Sequence, residues 1–97
     1  MSAFMIATIS IKNPEKFQEY AEKVPATVIP FGGELLIKGK FTGALTGEAD
    51  HQMAGVVKFP DLESIDNWFN SDAYQALIPL RNEGADVQMT KYLMPTA

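Results

Sequence analysis

The chain has 97 residues, 46% of them hydrophobic, no cysteine, and a formal net charge of −4 with a pI near 4.8. That length fits one domain, 1–97, with one modest core, and the lack of Cys excludes disulfides and thiolate metal sites. The acidic balance argues against nucleic acid and anionic membrane surfaces as partners.

The first element is residues 3–11, "AFMIATISI", rich in apolar and β-branched types and therefore a strand. It has no basic start and no long apolar stretch, so it is not a secretory signal. The apolar runs are all far shorter than the roughly 18 residues of a spanning helix. A soluble protein of the cytoplasm is the expectation. Asn13-Pro14 opens a helix, with Asn as N-cap and Pro at the first helical position. Phe17, Tyr20, Ala21 and Val24 fall at i, i+3, i+4 and i+7 and make one apolar stripe. The interleaved Glu15, Glu19, Glu22, Lys12, Lys16 and Lys23 read as its solvated face. Pro25 and Pro30 leave the far end of this helix open, and Gly32-Gly33 break the chain after it.

Next, "ELLIKGKFTGAL" alternates, with Leu35, Ile37 and Phe41 on one side and Glu34, Lys38 and Lys40 on the other. This predicts a half-buried strand at a sheet edge, where charges discourage unwanted pairing. "TGEAD" is a polar turn, and residues 51–59, "HQMAGVVKF", return as the second arm of a hairpin. Asp61 caps a second helix, with Glu63 in its first turn and Leu62, Ile65 and Phe69 as its stripe. Asn70-Ser71-Asp72 then repeats a helix-start signal while the helix is under way. Ser71 therefore caps a separate segment bearing Tyr74, Leu77, Ile78 and Arg81. Pro79 lacks an N–H and crowds the carbonyl of Gln75, which predicts a kink or an early end near Ile78. The stretch from Asn82 to Gly84 ends the helix, with Gly84 suited to a left-handed position. Residues 86–94, "DVQMTKYLM", form the last strand.

The order is β-α-β-β-α-β, two β-α-β halves joined by a hairpin, which predicts an α+β ferredoxin-like fold. Right-handed crossovers put both helices on one face of a four-stranded antiparallel sheet. The other face is not uniformly polar. Phe4 and Ile6 oppose Ala3, Met5, Ala7, Ile9 and Ile11, while Ala54 and Val56 oppose Met53, Val57 and Phe59. A sheet apolar on both faces calls for a second layer, and another copy of the chain is the simplest cover. A homodimer built sheet to sheet is the expectation.

The stretches "GGELLIKG", "GVVKFPDLESIDNWF" and "SDAYQALIPLR" resemble the domain-of-unknown-function family 1330. The matching residues are Gly32, Gly33, Phe59, Pro60, Trp68, Phe69, Ser71, Tyr74, Gln75 and Arg81, within a resemblance running over residues 4–92. Asp72-Ala73 stands where Pro-Glu is common, which changes the cap without removing it. The resemblance implies a dimeric α+β barrel, an architecture shared with small cofactor-independent monooxygenases. It implies no particular reaction.

Four residues are candidates for ligand binding. Trp68 and Tyr74 can line a pocket between helix and sheet, suited to an apolar or aromatic molecule, or simply pack the core. Arg81 can clamp a carboxylate, or favour the helix dipole and pair with Glu83. His51, the only histidine, has the acid–base range of a general base, or is a polar residue opening a strand. With one His and no Cys there is no ligand set for a metal, and no motif calls for a cofactor. No catalytic residue is assigned. Two functions stay open: binding or converting a small apolar or aromatic metabolite, or a non-catalytic dimeric module.

Overall fold

A computed structural model describes residues 1–95; the last two positions of the expected domain, 96–97, lie outside the described residues. The elements are β1 (Ala3–Ile11), α1 (Pro14–Val28), a single 3₁₀ turn (Ile29–Phe31), β2 (Glu34–Lys40), β3 (Met53–Phe59), α2 (Leu62–Phe69), α3 (Asp72–Gln75), α4 (Ile78–Gly84) and β4 (Ala85–Leu93). The strands form one antiparallel sheet in the order β2-β3-β1-β4. As the hairpin-linked halves require, β1 and β3 are central and β2 is an edge. This is the ferredoxin-like α+β arrangement.

Local chemistry sets the helix starts. Asn13 accepts a hydrogen bond from the Lys16 amide and Pro14 fills the first helical turn. Asp61 accepts from the Ser64 amide at 2.7 Å, and the Ser64 hydroxyl, then this amide, hold the Asp61 carboxyl below its ordinary range. Ser71 accepts from the Tyr74 amide at 3.2 Å and donates to the Trp68 carbonyl at 2.6 Å, so the helix stops and restarts.

The open end of α1 lies at Val28, beyond Pro25, and other local expectations are met or corrected. The early end expected near Ile78 is present: the helix breaks at Ala76 and Leu77, which puts Pro79 in the first turn of α4, where the missing N–H has no partner to lose. Gly84 is not left-handed; among the described glycines only Gly32 and Gly47 have positive φ. Gly84 is needed for close approach instead, because a Cβ there would lie 2.6 Å from the Phe17 amide nitrogen. The hairpin strands are shorter than their apolar runs: β2 stops at Lys40 and β3 begins at Met53.

The largest correction concerns β2. Leu35 stands opposite Val57 and Ile37 opposite Val56, with Leu36 bulged between them. A bulge inserts one residue and reverses the alternation beyond it. Leu35 and Ile37 therefore lie on opposite faces, and Lys38, opposite Gly55, turns to the helix side, away from Glu34, which stands opposite Lys58.

The core lies between the helices and one sheet face. Ala3, Met5 and Phe59 from the sheet pack with Tyr20 and Val28 from α1 and with Ile65, Trp68 and Tyr74. The other face carries Phe4, Ile6, Val56 and Ile37, with Phe4 stacked on Tyr92 at 5.2 Å. Among the described residues no helix covers it, and Ile37 is 65% exposed.

Candidate functional site

The α1 stripe meets the sheet across a space rather than in full contact. A cavity of about 480 Å³ lies there, with Phe17, Ala21 and Val24 on the helix side and Met5, Ala7 and Met89 on the sheet side. Its volume is within the range of small-molecule pockets, roughly 300–1,000 Å³. Trp68 closes part of the wall. Its indole Nε1 donates to Thr27 Oγ1 at 3.0 Å, and Thr27 Oγ1 donates to the Val24 carbonyl at 2.7 Å, which fixes the ring against the end of α1.

Behind Trp68 is a buried polar chain. The Trp68 and Tyr74 ring centroids are 4.3 Å apart. Tyr74 Oη lies 2.8 Å from Tyr20 Oη, and Arg81 Nη1 donates to Tyr74 Oη at 3.2 Å. Tyr74 also donates weakly to Met89 Sδ at 3.8 Å. Tyr74 is fully buried and Tyr20 is 5% exposed. Burial, and then the neighbouring Tyr74, push the Tyr20 phenol well above its usual range. Tyr20 is therefore a neutral hydrogen-bonding group and not a base at physiological pH. Arg81 does not pair with Glu83: its other donors reach Asn82 Oδ1, and Glu83 sits 3.9 Å from Lys16, while Arg81 stands in the last turn of α4.

Of the four candidates, the structure brings Trp68, Tyr74 and Arg81 together, but only Trp68 touches the cavity. His51 is elsewhere. Its Nδ1 lies 2.7 Å from Thr8 Oγ1 and its Nε2 3.3 Å from Asp86 Oδ2, both on the sheet face opposite the helices. It borders a separate hollow of about 490 Å³ beside Lys40, Glu48 and Asp50.

Two wall residues were not singled out by the sequence. Tyr20 was counted in an apolar stripe; the signal was a phenol in the middle of that stripe, which must find a partner when buried. Lys38 was placed on the solvent side, and no local signal marks the bulge that turns it. The ionisable residues bordering the cavity, among those described, are Tyr20, Glu34 and Lys38.

The sequence matches Domain of unknown function (DUF1330) over residues 2–92. The chain belongs to this family. No curated protein matches it. Similar solved structures include RPA0582, a protein of unknown function from Rhodopseudomonas palustris, with TM-score 0.81, 14% identity, and 97% of this chain and 84% of that one covered. SnoaB, a cofactor-independent oxygenase from Streptomyces nogalater, superposes with TM-score 0.71 at 6% identity over 99% of this chain and 95% of its own. A dimeric protein of unknown function with a ferredoxin-like fold from Bacteroides fragilis gives TM-score 0.63 at 12% identity, covering 96% of each chain. At these identities the likeness shows the fold alone. No helix among the described residues is long and apolar enough to cross a membrane.

Proposed function

We propose that this member of the DUF1330 family binds a small apolar or aromatic molecule between α1 and the sheet, as a homodimer joined through the open sheet face. The observation that carries the binding site is the cavity of about 480 Å³, whose wall is almost entirely apolar. A space of that size next to a packed core is unusual, since interiors close to near-crystalline density unless something holds them apart. The Trp68–Thr27 bond and the Tyr20–Tyr74–Arg81 chain supply that support by pinning α1 to α2, α3 and α4. Of the polar chain only Tyr20 borders the cavity, and among the described residues no imidazole does. Reversible binding is therefore better supported than acid–base catalysis. The cofactor-independent oxygenase among the structural neighbours shares the fold and assigns neither ligand nor reaction to this chain. For the dimer, the support is the uncovered apolar face with Phe4, Ile6, Val56 and Ile37, together with the dimeric neighbour.

Methionine methyl NMR tests the binding site directly. Met5, Met53 and Met89 border the cavity, whereas Met1 and Met94 do not. Titration with indole should shift the first three methyl resonances and leave the other two in place. Unchanged Met5 and Met89 signals at millimolar indole would refute the proposal.

A further inference from the structure

The cavity wall holds one feature that an apolar pocket does not need, the side chain of Lys38. In an unbroken strand, Lys38 would share a face with Glu34, four residues earlier. The bulge at Leu36 separates them. Glu34 stands opposite Lys58 on the outer face, and Lys38 stands opposite Gly55 on the helix side. Gly55 offers no side chain there, so the space above it is open to the lysine. Lys38 borders the cavity while remaining exposed at the edge strand, which places it at the rim. Among the described residues it makes no ion pair and no side-chain hydrogen bond; Lys12, Lys40 and Lys58 make none either, but of these four only Lys38 borders this cavity.

We infer that the ligand is an amphipathic acid. Its apolar body fills the space under α1, and its carboxylate is held at the rim by the Lys38 ammonium. A Lys ammonium is a compact charge that rotates freely to meet a carboxylate, and its long stem reaches from the strand edge while the charge stays in water. The bulge is then what brings a cation to the rim: among the described residues Lys38 is the one basic side chain bordering the cavity, and Glu34, on the opposite strand face, is the one carboxylate there. This assignment rests on the cavity being a binding site, so the test separates the two.

The probes are indole-3-acetate and indole-3-acetamide, which share a ring and a size and differ in charge. Affinities are read from the Met5 and Met89 methyl shifts at low ionic strength. Both probes should bind, with the acid favoured about fivefold, the upper range for a solvent-exposed ion pair. Half-molar salt should erase that preference. Lys38→Gln should erase it too while leaving the amide affinity unchanged, and Lys38→Arg should restore it. Lys40→Gln, on the same edge strand, should leave the preference intact. Equal affinities in the unmodified protein, a preference that survives Lys38→Gln, or equal loss in Lys40→Gln would overturn the role of Lys38 while leaving the cavity standing. Binding of neither probe would overturn both.

Discussion

Replacing Tyr74 with Phe removes a single oxygen from the centre of the molecule, and the consequences follow from its partners. Tyr20 Oη, 5% exposed and 2.8 Å away, loses the only side-chain hydrogen bond it makes among the described residues. Arg81 also loses a bond, but it is partly exposed and keeps Asn82, so water replaces what is lost. The Met89 contact is weak at 3.8 Å. The penalty is therefore mainly that of one stranded buried hydroxyl, about 2 kcal/mol. For a domain of this size that lowers Tm by roughly 8–16 °C. Tyr20→Phe should cost less, about 1 kcal/mol, since the Tyr74 hydroxyl keeps Arg81 and the weak Met89 contact. The double variant should lose clearly less than the sum, with a coupling of about 1 kcal/mol, because replacing both partners leaves nothing unpaired. The assay is urea unfolding followed by Trp68 fluorescence at one fixed protein concentration, which keeps any self-association constant. A Tyr74→Phe loss below about 0.5 kcal/mol, or strictly additive losses, would refute a sealed polar chain.

Three further outcomes are expected. Tyr20 holds its proton in the folded state above the pH at which the unfolded phenol, near pH 10, releases it. Its stabilising effect is thus complete below about pH 10 and is lost as pH rises beyond it, by about 1.4 kcal/mol per unit relative to Tyr20→Phe; parallel stability profiles of the two proteins above pH 10 would contradict this. Gly84→Ala forces a methyl against the α1 backbone, 2.6 Å from the Phe17 amide nitrogen, and should cost about 2 kcal/mol or more in thermal unfolding; a neutral substitution would show that α1 and α4 are free to separate. Sedimentation equilibrium at micromolar concentration should give twice the 10.7 kDa chain mass, and Ile6→Lys should shift it to the monomer with near-ultraviolet dichroism retained; a folded monomer before substitution would remove the sheet face as an interface.

Local signals were legible in the sequence because the physics behind them is local. Asn13, Asp61 and Ser71 each bond an amide three residues on, so their side chains announce helix starts without help from the rest of the chain. The order of elements, the central place of β1 and β3, and the double-sided apolar character of the sheet follow from residue spacing in the same way. Trp68 and Tyr74 were legible as a pair because the interrupted helix joins them. The candidate site itself was decided in three dimensions. Tyr20 meets Tyr74 across 54 residues of chain, and no spacing rule reaches that far. His51 is drawn away from the others by Thr8 and Asp86, partners fixed only by the register of β1 and β4. Gly84 is small because α1 crosses it, not because of its own backbone angle. Above all, the bulge at Leu36 reverses β2 against β3 and carries Lys38 to the cavity. A strand's alternation is written in its sequence, but its phase is set by the partner it pairs with, and a one-residue shift in that pairing exchanges the two faces.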